Sequence, residues 1–88
     1  MASYKIEVKK SAQKEIRKLP NDIRGKIIEK IDGLYANPLP TDTEKIKGLK
    51  NAYRIRQGNY RILYYFFKER LLISVVRVRH RKDTYRDL

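Results

Sequence analysis

Residues 53–79 read YRIRQGNYRILYYFFKERLLISVVRVR, and the way this stretch alternates decides the fold. Tyr53-Arg54-Ile55-Arg56 repeats with a period of two, the mark of a strand with one face buried. Gly58-Asn59 is a two-residue turn signal between that strand and the next apolar run. Tyr60 to Phe67 and Leu71 to Val78 are dense in aromatic and β-branched side chains, which pack well on a pleated surface. Lys68-Glu69-Arg70 separates them and predicts the turn of an antiparallel hairpin. The carboxy-terminal half is therefore an antiparallel sheet.

Working back towards the amino terminus, the period changes. Tyr4-Lys5-Ile6-Glu7-Val8 alternates and reads as one more strand. Ser11 offers an N-cap to a short helical segment in which Ala12, Ile16 and Leu19 share a face, Glu15 and Lys18 point outward, and Pro20 ends the run. Asn21 and Asp22 then cap a second helix. Its apolar stripe is Ile23, Ile27, Ile28, Ile31, Leu34 and Tyr35, at helical spacing. Asn37-Pro38-Leu39-Pro40 closes it, and Thr41 to Glu44 reads as a polar loop. The expected fold is α+β: an N-terminal strand, a helical hairpin, then a three- to four-stranded antiparallel sheet with the helices on one face and the other face open. With 88 residues the chain is expected to be one domain, 1–88.

Charge gives the open face its character. The chain carries 22 Lys and Arg against 10 Asp and Glu, a formal net charge of +12. Residues 1–44 hold nine basic and seven acidic side chains, whereas residues 45–88 hold thirteen and three. A solubility charge would be spread with mixed signs; one so lopsided calls for a polyanionic partner. There is no cysteine, which excludes disulfides and thiolate zinc sites. Met1 to Lys5 lead straight into the first strand without an apolar secretion segment, and the apolar runs 62–67 and 71–76 are too short to span a bilayer. A soluble cytoplasmic protein with no membrane partner is expected.

In the Tyr53–Arg56 strand, Tyr53 and Ile55 point to one side and Arg54 and Arg56 to the other. Arg61 opens the next strand, and Arg77, Arg79 and Arg81 are spaced by two near the end of the last. Simple hairpin pairing brings several of these guanidiniums together, although alternation alone does not fix the face of the last three. Planar, paired N–H donors match phosphate oxygens. Of the aromatics, Tyr60, Tyr64 and Phe66 share a face and read as core; Tyr65 and Phe67 fit either surface. Only Glu69, Asp83 and Asp87 supply acid in the second half, too few for a two-metal nuclease, and the single His80 is too little for a paired-histidine ribonuclease. A metal-free, cofactor-free nuclease stays open if RNA supplies its own 2′-OH. The protein must then orient that hydroxyl, take its proton, stabilise the phosphorane charge and protonate the leaving oxygen. His80 and Tyr85 are the candidate bases. A phenol normally titrates at about 10, and neighbouring guanidiniums favour the phenolate; the chemistry alone equally admits Tyr85 as an ordinary tail aromatic.

The run Ile46-Lys47-Gly48-Leu49-Lys50, followed by Tyr53-Arg54-Ile55-Arg56 and Asn59-Tyr60-Arg61-Ile62-Leu63-Tyr64, resembles the middle of the RelE/ParE toxin superfamily. The ending Val78-Arg79-His80-Arg81-Lys82-Asp83-Thr84-Tyr85 resembles its closing motif, a basic residue followed shortly by tyrosine. The resemblance covers nearly the whole chain and favours the RelE-like mRNA interferase branch. It implies the RelE-like microbial RNase fold and a toxin of a type II toxin–antitoxin pair. Such a toxin is an endoribonuclease that enters the ribosomal A site, beside the rRNA, and cuts the bound mRNA by 2′-OH attack. It implies a RelB-like antitoxin partner. Carried over by position, Arg54 and Arg56 hold phosphates, with Lys47 and Arg79 in the same substrate-binding set. Arg61 stabilises the transition-state charge, Arg81 takes the general-acid position and Tyr85 the general-base position. The paired positions are often lysine in RelE itself, and His80 sits where some relatives carry a catalytic histidine, so the acid is either Arg81 or His80. Two other readings are carried: a ParE-like inhibitor of DNA gyrase, whose chains usually lack this basic set with its terminal tyrosine, and a non-catalytic RNA- or ribosome-binding protein.

Overall fold

The computed structural model describes residues 4–83. In chain order the elements are β1 (Lys5–Val8), α1 (Lys10–Arg17), α2 (Asn21–Gly33), β2 (Thr43–Lys45), β3 (Ala52–Gln57), β4 (Tyr60–Phe67) and β5 (Leu72–His80), with single 3-10 turns at Lys68–Arg70 and Arg81–Asp83. The strands form one five-stranded sheet in the order β1-β5-β4-β3-β2. Neighbours β2 to β5 run antiparallel, and β1 joins β5 in parallel. The α+β reading holds, with β1 and four antiparallel strands, the upper end of the expected range; Thr43–Lys45, expected in a polar loop, is an edge strand on β3. The β3–β4 turn places Gly58 at φ 59°, the left-handed conformation that a tight hairpin demands of its first central residue.

Both helices pack on one face. Ala12, Ile27, Ile31 and Leu34 meet Ile55, Ile62, Tyr64, Phe66, Ile73, Val75 and Val78 in the main core. The stripe on α2 is narrower than its sequence pattern: Ile28 and Tyr35 stay exposed, at 44% and 53%, because a helix on a flat sheet buries only one arc of its surface. The capping expectations also shift. Lys9 is the N-cap of α1 and Pro20 that of α2, neither with a side-chain cap bond; Asn21 and Asp22 lie inside α2. The opposite face is not wholly open. Ile46, Ala52 and Leu63 form a second small core, with Leu49, Tyr65 and Val76 against it, so the segment after β2 folds over the middle of that face. No helix among the described residues is long and apolar enough to cross a membrane.

Two features of β5 position the arginine side chains at its end. Residues Leu72–Val75 pair with β1, after which the strand edge is met by α1. The Ser11 hydroxyl donates to the Val76 carbonyl at 2.7 Å, and the Val78 N–H donates to Glu15 Oε1 at 2.8 Å. Ser11 and Glu15 are one turn apart and stand in for a missing strand, so Glu15 does not point outward. The second feature is a bulge. Tyr64 pairs with Val75 but Leu63 pairs with Arg77, which leaves Val76 as the extra residue. A bulge changes which side the following residues face. Strict alternation from Ile73 and Val75 would have sent Arg77 and Arg79 into the core. Val78 takes the core position and the two arginines turn to the other side.

Candidate nucleic-acid interface

Register across β3, β4 and β5 assembles the arginines into rows. Arg56 lies opposite Arg61, and Arg61 opposite Arg79. In the next row Glu44, Arg54, Leu63 and Arg77 are paired in turn from β2 to β5. Directly opposed residues share a face with Cβ atoms about 5 Å apart, so five guanidiniums stand on one surface. Like charges opposite one another are unfavourable, and carboxylates at the two ends offset this. Glu44 lies 3.5 Å from Arg54 Nε at one side. At the other, Glu15 Oε2 lies 3.4 Å from Arg79 Nε and 3.7 Å from Arg77 Nη1.

Arg61, at the centre, is held by its own turn: Nη1 donates to the Tyr60 carbonyl at 3.0 Å and to the Gly58 carbonyl at 3.3 Å. Partial desolvation, and then the nearby charges of Arg56, Arg54 and Arg81, lower its pKa from the usual arginine value. A cation so crowded gains most from an anion laid across it. Arg81 begins the turn after β5, its N–H donating to the Asn59 carbonyl at 2.7 Å, and so belongs to the Arg61 neighbourhood. Lys47 is exposed and follows Ile46, whose side chain is buried against Leu63 of the second row.

A surface of aligned guanidiniums on this sheet topology is the observation that comparison with known proteins sharpens. The family model described as ParE toxin of type II toxin–antitoxin system matches residues 6–85. The chain belongs to the RelE/ParE toxin superfamily. Its relatives put this toxin in the RelE-like branch. Toxin RelE3 of Methanocaldococcus jannaschii is 38% identical over 85 residues, covering 92% of this chain and 94% of the relative. The toxin resembles the archaeal RelE–RelB complex from Pyrococcus horikoshii with a TM-score of 0.81 at 26% identity, covering 90% of this chain and 96% of that one. For the RelB–RelE antitoxin–toxin complex from Methanococcus jannaschii the TM-score is 0.74 at 34% identity, over 91% and 95%.

Of the residues singled out from the toxin's sequence, Arg54, Arg56, Arg61 and Arg79 stand together, with Arg81 coupled to Arg61. His80 is turned away from them. It pairs with Tyr60 across the strands and meets that ring edge-on, with centroids 5.3 Å apart. Its Nδ1 accepts the Lys82 N–H at 3.3 Å, so Nε2 carries the proton in the neutral ring. Tyr85 lies outside the described residues. Tyr65 and Phe67 take the arginine side of β4 and stack at 5.8 Å, with the Arg70 guanidinium 5.2 Å from the Phe67 ring. Sequence reasoning missed Glu15 and Glu44. The signal for Glu15 was its i, i+4 relation to Ser11; a three-residue polar strand left none for Glu44.

Proposed function

We propose that this toxin is a ribosome-dependent endoribonuclease. It cuts mRNA in the A site by metal-independent attack of the RNA 2′-OH on the adjacent phosphate, and so stops translation. The observation that carries the reading is the cross-strand row Arg56–Arg61–Arg79 with Arg54 and Arg77 behind it. The chemistry needs cations fixed where charge develops, because a donor in place before the reaction costs no reorganisation during it. Arg61, anchored by two carbonyls of its own turn, serves the phosphorane oxygens. Arg54 and Arg56, with Lys47 and Arg79, hold the flanking phosphates and keep the 2′-OH in line.

Tyr85, at the position the resemblance gives to the general base, takes the hydroxyl proton; a phenol brought beside guanidiniums has its phenolate favoured. Arg81, beside Arg61, serves the leaving oxygen; for His80 to donate the proton instead, its ring must swing from Tyr60 towards the row. Partners on this reading are mRNA and rRNA in the A site, and a RelB-like antitoxin of the kind named in the two archaeal complexes. The cytoplasm is where it acts.

Purified toxin added to ribosomes programmed with a defined message should cut it in the A site codon. Tyr85→Phe and Arg61→Ala should each slow cutting by orders of magnitude while RNA binding falls far less. Normal cutting by both variants contradicts the site assignment. The ParE description of the matching family model favours a second reading, inhibition of DNA gyrase. Gyrase-linked DNA damage with intact mRNA in expressing cells is its signature. Ribosome binding with neither effect marks a non-catalytic binder.

A further inference from the structure

One carboxyl at the β5 edge makes three contacts. Glu15 Oε1 accepts the Val78 N–H at 2.8 Å. Its Oε2 lies 3.4 Å from Arg79 Nε and 3.7 Å from Arg77 Nη1, with the side chain only 26% exposed. Ser11, on the same side of α1, binds the Val76 carbonyl, so the two side chains bracket the bulge that turns Arg77 and Arg79 outward. A carboxylate shared by two guanidiniums is also a stand-in for phosphate: an incoming phosphate must displace it or do without those two cations. Among the described residues, neither Arg61 in the middle of the row nor Arg56 at its β3 end has a carboxylate within ion-pair distance, although the charge of Arg56 is felt by Asp42.

We propose that Glu15 is a positioning and specificity-determining residue. It keeps the bulged register of β5 and competes with phosphate for Arg77 and Arg79, so that RNA reaches these two cations only by displacing it and indiscriminate RNA binding by a chain of charge +12 is held down. The inference rests on the phosphate-binding reading of this face and not on the cutting reaction.

Glu15→Gln separates the two duties. The amide oxygen still accepts from Val78, so register survives, and only the negative charge is lost. Binding of a fluorescent single-stranded oligoribonucleotide is measured across a salt series for the wild type, Glu15→Gln and Glu69→Gln. The last removes the same charge from the Lys68–Arg70 turn at the far end of β4 and β5. Each guanidinium released to a phosphate steepens the slope of log K against log salt by about 0.7. Glu15→Gln should therefore steepen it by up to about 1.4 and tighten low-salt binding on the order of tenfold. Glu69→Gln should leave the slope where the wild type has it. Glu15→Ala, which also strips the acceptor from Val78, should melt below Glu15→Gln. Equal slopes for wild type and Glu15→Gln, with salt-dependent binding by both, overturn the role of Glu15 alone. Salt-independent binding by the wild type overturns the phosphate reading of the face and takes this inference with it.

Discussion

Arg61→Met keeps most of the apolar stem of the side chain while deleting the charge at the centre of the row. The charges that lower the Arg61 pKa, after desolvation, are those of Arg56, Arg54 and Arg81, opposed only by Glu44. Unit charges about 8 Å apart in a water-like dielectric repel by about 0.5 kcal/mol. Three such neighbours cost about 1.5 kcal/mol, and Glu44 with weak screening at about 10 mM salt brings the net near 1 kcal/mol. Against this stand the hydrogen bonds from Arg61 to Tyr60 and Gly58, which on an exposed turn contribute about 0.5 kcal/mol together. The variant should thus be more stable by about 0.5 kcal/mol at low salt, a rise of roughly 2–4 °C in melting temperature. Near 1 M salt the screening length is about 3 Å, the repulsion vanishes and the sign should reverse. Over the same substitution cutting should fall on the order of 10²- to 10³-fold, as loss of one preplaced donor to a developing charge does. Thermal melts at the two salt concentrations and single-turnover cutting on programmed ribosomes read both effects. A variant that melts below the wild type at low salt, or a gap indifferent to salt, refutes the reasoning.

Tyr64 is fully buried and its hydroxyl donates to the Pro38 carbonyl at 2.6 Å, so Tyr64→Phe should cost about 1–2 kcal/mol in urea denaturation. Burial pushes the phenol up to about 12. Its contribution to stability is complete below the unfolded value of about 10 and is lost as pH rises towards about 12, because the unfolded chain gives up the proton first; Tyr64→Phe should show less of this alkaline loss. Leu63→Ala empties the centre of the second core, where Leu63 is 2% exposed, and should cost about 2–4 kcal/mol by denaturant titration. The hydrogen bond from Lys30 at 2.9 Å is the first cause that lowers the Asp42 pKa, so Lys30→Gln should raise that pKa, as followed by NMR titration of the carboxyl.

Much of this was legible because strand alternation is a strong signal where one face is buried. Tyr53 and Ile55 against Arg54 and Arg56, and Tyr60, Tyr64 and Phe66 as core, follow from period two alone. What escaped depended on contacts between residues far apart in the chain. The parallel pairing of Lys5–Val8 with Leu72–Val75 has no local signature, and neither does a polar edge strand of three residues at Thr43–Lys45. Alternation could not settle the face of Arg77 and Arg79, for a physical reason: the bulge at Val76 reverses parity inside the strand, and it is pinned by Ser11 and Glu15 from more than sixty residues earlier. The same reversal decides His80, which ends up beside Tyr60 and away from the row.

The sharpest test of an RNA-supplied nucleophile is single-turnover cutting of two messages on programmed ribosomes, identical except for a 2′-deoxy sugar at the scissile position. The expected outcome is that the all-ribose message is cut to a 2′,3′-cyclic phosphate while the deoxy message survives. Cutting of both at similar rates would contradict a mechanism built on guanidiniums and the substrate's own hydroxyl.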